Sequence, residues 1–344
     1  MNAISSPGAR KRSPWQALRG MSADRPHVFL LLLVTLLPLA LMPWSTWLVL
    51  TLSGMAMGAM LFLMASGMSL TFGLMSVLNL AHGAFISVGA FVGASLLIYG
   101  LSEWSHNPSL WINLAAVLPA FALAALVAAL LGVVFERLVI RPVYGDHLKQ
   151  ILVTVGGAIV IFQLIEVIWG PREIPVPRPE ALRGALVFGG IALEKYRVAA
   201  VVLGVGLYAL LLWVIERTRL GILIRAGVES REMVEIHGYR IGLLFLAVFA
   251  AGSALAGLGG AMWGLYREII TPHMGDELMI SVIVVIILGG LGSVRGCFYG
   301  AMLVGLVNLY VGYLEPRLAA VATVGLMVAV LMWRPQGLIP VIKV

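Results

Sequence analysis

Gly73-Leu74-Met75-Ser76-Val77-Leu78-Asn79-Leu80-Ala81-His82-Gly83-Ala84 sets an amide, an imidazole and several small residues inside an otherwise apolar run. In hydrocarbon, each such polar group is costly unless another group satisfies it. A membrane segment that carries Asn79 and His82 therefore turns them toward protein or water, and the stretch lines or braces something.

The surroundings extend the membrane reading to the whole chain. Of 344 residues, 61% are hydrophobic and 11% are charged, with a mean hydropathy of +1.01. A soluble domain carries about 25% charged residues. The depletion runs along most of the length, which excludes a soluble domain with a single anchor. The expected fold class is all-α, a polytopic helical membrane protein of about 8–10 transmembrane helices, since roughly 20 apolar residues span a bilayer. The apolar runs are continuous and lack the period-two alternation of a barrel. One cysteine, Cys297, excludes an intrachain disulfide and a multi-cysteine metal site. No catalytic constellation is expected. The net charge of +7 belongs to basic residues between the hydrophobic runs, where topology and anionic lipid account for it better than nucleic acid does.

Residues 1–27 are polar, with Arg10, Lys11, Arg12, Arg19 and Arg25, and read as a disordered cytoplasmic arm. A transmembrane domain is expected over 28–344. Apolar runs lie at 28–42, 47–72, 76–100, 110–135, 150–169, 198–215, 242–265, 278–292, 297–313 and 318–333. The first is followed by Leu41-Met42-Pro43-Trp44 and not by a small-x-small cleavage site, so it reads as an uncleaved helix. With the N-terminus inside, ten crossings put both termini in the cytoplasm and 16 of the 23 Lys/Arg on that side. The outer loop after Gly170 goes against the trend with five basic residues. Its opening, Pro171-Arg172-Glu173-Ile174-Pro175-Val176-Pro177-Arg178-Pro179, favours an extended backbone. That suits either a plain connector or a docking surface for an extracytoplasmic partner.

Small residues then fall at helical spacing: Asn79, Gly83, Ser87, Ala90 and Ala94, and again Ser253, Gly257, Gly260 and Gly264. Such stripes let helix backbones approach closely where apolar burial gives little drive. Asn79, His82, Gly83 and Ser87 are the candidates for a translocation path or inner gate. A second stretch, Gly290-Leu291-Gly292-Ser293-Val294-Arg295-Gly296 before Gly300-Ala301, repeats Gly, Leu, Ser, Val, Gly and Ala of the first at a separation of 217 residues. It is either a weak internal repeat or a chance likeness of two Gly-rich turns.

The loop at 216–240 holds Arg225, Glu229, Arg231, Glu232 and Glu235 alternating with Ile222, Ala226, Met233 and Ile236. This pattern suits a short amphipathic helix closed by Gly238. Its mixed charge favours a protein groove over lipid. None of the four lysines is followed by Ser or Thr, so none ends a phosphate-binding loop. Carboxylate relays of ion-coupled carriers are also absent: Glu166, beside Gln163, is the only acid well inside a run, and Glu136 ends another. The driving energy comes from elsewhere, or the flux is passive.

Gly73–Ala84 resembles the signature of permease subunits of ABC importers for branched-chain amino acids, in the LivH branch. The likeness continues through Thr218–Gly238, Ile287-Leu288-Gly289-Gly290-Leu291-Gly292-Ser293 and the ending Arg334-Pro335-Gln336-Gly337-Leu338. It implies an ABC-importer permease fold in the bacterial inner membrane, pairing with a second, related permease. It further implies two cytoplasmic ATP-binding subunits, which would hold the ATP and Mg, and a periplasmic solute-binding protein. The coupling residues are then Arg225, Ala226, Glu229, Met233 and Gly238. Two positions depart from the family's pattern: Met233 where a small residue is usual, and Ala84 where an acid usually follows the His-Gly. Relatives of the same family that move urea, short amides or aromatic carboxylates leave the solute open. A passive channel, or an ion-coupled carrier using His82 and Glu166, remains as an alternative of another class.

Overall fold

The structure is a computed structural model that describes residues 26–75, 79–229 and 231–339, with the side chains of 228, 229 and 231–233 outside it. The basic arm, the Ser76–Leu78 part of the signature and Ser230 lie outside the described residues. Hydrocarbon offers no partner for a free N–H or C=O, so continuous apolar sequence settles into helices.

The helices in chain order are α1 (Pro26–Leu36), extended by a 3-10 turn to Ala40, and α2 (Trp44–Met75). Then come α3 (His82–Ser95), running on in π geometry to Gly100, and the short α4 (Ser102–Ser105). Next are α5 (Leu110–Phe135), α6 (His147–Trp169) and α7 (Lys195–Arg217). Two surface helices, α8 (Arg219–Glu229) and α9 (Arg231–Ile236), precede α10 (Ile241–Arg267). The chain closes with α11 (Met274–Gly289), α12 (Val294–Leu314) and α13 (Ala319–Trp333). Eight of the described helices are long and apolar enough to cross a membrane. The remaining two of the ten expected runs also form helices, but short ones. Pro26–Ala40 is one; α11, with 16 residues, measures about 24 Å against about 30 Å of hydrocarbon.

Long-range bonds sort the loops into two groups. At one end, Gly73 lies against Gly292, where a methyl on Gly73 would come 2.9 Å from the Gly292 Cα. Glu216 pairs with Arg295 at 2.6 Å, and Leu338 N–H donates to Leu288 O at 2.9 Å. The Tyr144 ring, in the loop after α5, meets Phe245 near the start of α10. At the other end, Asn113 accepts from Ala181 N–H at 2.8 Å. The extended segment β1 (Ile174–Pro175) pairs there with β4 (Ile269–Ile270). The 136–149, 216–240, 290–295 and 334–339 segments thus share one end.

The loop that opposed the charge trend carries its own counter-charges. Arg178 is buried, pairs with Glu194 and with Glu268 at 3.2 Å, and donates to Leu265 O and Tyr266 O. Arg197 pairs with Glu194, and Arg183 with Glu180. The loop is also not a bare connector. Ala185–Phe188 (β2) and Ile191–Glu194 (β3) form an antiparallel hairpin around Gly189-Gly190.

The core lies where α2, α3, α10 and α12 meet, with Phe62, Phe85, Phe91 and Phe249 fully buried. Phe85 contacts both Phe135 and Phe249 edge-on. Small residues set these crossings. A Cβ on Gly58 would lie 2.8 Å from Ala301 O, and one on Gly83 2.7 Å from Gly275 O.

Candidate functional site

The two sets of residues singled out by sequence lie apart: the 216–240 segment sits at the end that holds Leu74 and Gly292, whereas the Asn79–Ser87 set packs within the bundle on Met64 of α2 and on Gly275 at the start of α11. Asn79 opens the turn before α3. Its Oδ1 accepts from Ala81 N–H at 3.1 Å, an Asx turn that offers the backbone an alternative to helix. This is why α3 starts at His82 and not where the apolar run begins. His82 is 1% exposed, and its Nε2 donates to the Met64 carbonyl of α2 at 2.9 Å. Gly83 faces Gly275, and Ser87 Oγ accepts from Gly275 N–H at 3.0 Å. All four side chains or Cα positions are buried between helices of this chain, with α2 on one side and α11 on the other.

Small residues of the second stripe brace the same bundle. Ser253 Oγ donates to Phe249 O at 2.9 Å. A Cβ on Gly257 would meet Ala124 O at 2.9 Å, and one on Gly264 would meet Ile270 at 2.8 Å.

The described residues of the 216–240 segment are helical on both sides of Ser230, as α8 and α9. Thr218 starts α8: its Oγ1 accepts from Gly221 N–H at 3.3 Å. Gly227 is buried against Leu74, whose Cδ1 would lie 2.8 Å from a Cβ there. Arg225 is exposed and Nη1 donates to Ile215 O at 2.9 Å, while Ala226 is half-buried. Glu229 and Met233 sit in α8 and α9 by backbone, with their side chains outside the described residues. Gly238 ends the segment at φ +83. Its N–H donates to Glu235 O, and Tyr239 N–H reaches Val234 O, the double bond pattern that closes a helix on a left-handed glycine. Leu220, Ile222 and Ile236 remain exposed on this segment, Ile236 at 76%. Exposed apolar side chains beside exposed charges make a surface suited to a protein groove.

Two acids lie outside these sets, Glu136 and Glu166. Glu136 is buried where α5 loosens into a π turn, and takes the Tyr144 hydroxyl proton donor. Glu166 accepts from Gln163 at 2.9 Å and faces His273 Nε2 at 3.2 Å. His82 and Glu166 share no partner: one rests on α2, the other on the first turn before α11. Among the described residues no group of three or more His, Cys, Asp or Glu could hold a metal ion.

A protein family described as "Branched-chain amino acid transport system / permease component" matches residues 50–331, which include both regions. The chain belongs to this family. The permease is 25% identical over 296 residues to the high-affinity branched-chain amino acid transport system permease protein BraD of Pseudomonas aeruginosa, covering 83% of this chain and 94% of that one. It is 25% identical to the corresponding LivH protein of Escherichia coli K12, over 83% of this chain and 93% of LivH. The LivM permease protein of the same strain is 28% identical, over 80% of this chain and 67% of LivM. No solved structure matches. The family match and eight apolar helices make this chain a multi-pass membrane permease.

Proposed function

We propose that this permease is the membrane-spanning subunit of an ATP-driven ABC importer for branched-chain or other hydrophobic amino acids. The observation that carries the reading is the family match over residues 50–331. Two relatives named for branched-chain amino acid transport support the solute class. LivH and LivM, two different permeases of one species, both resemble this chain, which supports pairing with a second, related permease.

In this reading the chain sits in the bacterial inner membrane with both termini in the cytoplasm. Two cytoplasmic ATP-binding subunits hold ATP and Mg, and a periplasmic binding protein delivers the solute. The chain itself catalyses nothing. The α8–α9 surface, with Arg225, Ala226, Glu229, Met233 and Gly238, receives the ATPases. Their closure displaces α8, which rocks the bundle between outward- and inward-open states. Asn79, His82, Gly83 and Ser87 act on the translocation path or at an inner gate by holding α3 against α2 and α11, not as first contacts for solute.

The test is co-purification. Tagged ATP-binding subunits of the same transporter should retain wild-type permease in detergent and lose the Glu229→Lys/Met233→Asp variant, with membrane insertion unchanged. Equal retention of both would remove the coupling role from this surface.

A further inference from the structure

The two Gly-rich turns that resemble each other in sequence also touch. Gly73, at the end of α2, packs on Gly292, in the turn between α11 and α12. Gly292 adopts φ +78 and Gly290 φ +104, values that side-chain-bearing residues rarely hold. The contact therefore has no side chain on either surface. It is a bare backbone crossing that can slide without repacking rotamers.

The α7–α8 segment touches both arms of this crossing. On one arm, Gly227 of α8 is buried on Leu74, the neighbour of Gly73. On the other, Glu216 Oε1 lies 2.6 Å from Arg295 Nη2, and Arg295 is in the first turn of α12, three residues beyond Gly292. Ser293 caps that same turn by accepting from Gly296 N–H at 3.0 Å, so Arg295 is attached to an ordered helix start. Leu74, Gly73, Gly292, Arg295, Glu216 and Gly227 thus form a closed chain of contacts around one end of the protein.

We propose that Glu216 and Arg295 are positioning residues that lock the α11–α12 turn to the coupling segment, so that displacement of α8 moves both Gly-rich turns together. An exposed ion pair contributes little to stability; its role here is to fix register. Without it, α8 would still push on Leu74 but would no longer carry α12 with it. This inference rests on the coupling reading given under Proposed function.

The experiment uses the complete transporter in proteoliposomes, with radiolabelled leucine as the probe, and compares Glu216→Arg, Arg295→Glu and the double reversal. ATP hydrolysis and leucine uptake are measured on the same preparation. Each single reversal should retain ATPase subunits and hydrolysis but lower leucine moved per ATP by roughly threefold to fivefold, the upper range for an exposed pair. The double reversal should restore the ratio to near wild type. Glu216→Gln and Arg295→Gln, which introduce no repulsion, serve if a reversal fails to accumulate. Unchanged ratios in the single variants, or no recovery in the double variant while the subunits stay bound, would overturn the proposal. Loss of ATPase binding in the wild-type complex would instead strike the coupling reading.

Discussion

Ser87 and Gly275, 188 residues apart, are joined by a 3.0 Å hydrogen bond in which the Ser87 hydroxyl accepts from the Gly275 N–H. His273, the N-cap residue of α11, makes no side-chain cap bond of its own. Ser87 therefore caps α11 from a neighbouring helix, and α3 and α11 are held by one polar bond inside a small-residue contact. Ser87→Ala should lower stability by about 1 kcal/mol, the usual worth of a cap, read as a drop in melting temperature by fluorescence-detected size exclusion. An unchanged melting temperature would mean that the bond contributes nothing.

The adjacent glycine gives a sharper contrast. A Cβ on Gly83 would lie 2.7 Å from Gly275 O, whereas Gly156, in the middle of α6, has open space around it. Gly83→Ala should destabilise by roughly 1–3 kcal/mol through overpacking. Gly156→Ala should be neutral or stabilising by up to about 1 kcal/mol, since alanine is the better helix former. The pair of melting curves checks whether contact, and not glycine content, decides the effect.

His82 donates to a carbonyl that lies within α2, so its loss leaves no open charge. His82→Leu should cost about 1–2 kcal/mol of stability and still allow insertion. If α3 is part of an inner gate, leucine uptake per folded transporter should fall further than the amount of folded protein does. Equal losses of both would make the histidine a bracing residue and nothing more.

Arg178 ties the loop between α6 and α7 to the end of α10 through Glu194, Glu268 and two carbonyls. Arg178→Gln should loosen this loop. The expected cost is roughly 3 kcal/mol, as for removing one partner of a buried pair, reduced by the partial exposure of Glu194. Limited proteolysis should cut the variant within residues 171–194 under conditions that spare the wild type.

A pH effect is expected at the start of α6. Asp146 accepts from Lys149 N–H at 3.1 Å and pairs with its ammonium at 3.0 Å. Chiefly that backbone bond, aided by the Lys149 side chain, holds the Asp146 carboxyl below its ordinary value. A depressed carboxylate stabilises the fold above the ordinary value, and the benefit is lost as pH falls through the folded one. Asp146→Ala should therefore melt below wild type at neutral pH, and the difference should vanish in acid.

Much of this structure was legible before any coordinates. Continuous apolar runs fix helices because the bilayer leaves the backbone no other partner, and all ten runs became helices. The spacing of Gly83 and Ser87 anticipated a close helix contact, and Gly238 anticipated a helix stop. What periodicity could not supply was the partner of each face. Nothing local in Pro171–Pro179 points to Glu268, and Arg178 reaches carbonyls 87 and 88 residues away. Asn79 sets the start of α3 through a side-chain bond that a hydropathy pattern does not register. Glu216 and Arg295 were visible only as topology charges, since their meeting depends on the crossing of two distant turns.

The most direct test of the importer reading is leucine uptake into proteoliposomes holding this permease, with and without its partner permease, ATP-binding subunits and binding protein. The account predicts uptake only with the full set and ATP-Mg, and none by the chain alone. Fast, ATP-independent movement of leucine down its gradient through the chain alone would contradict it.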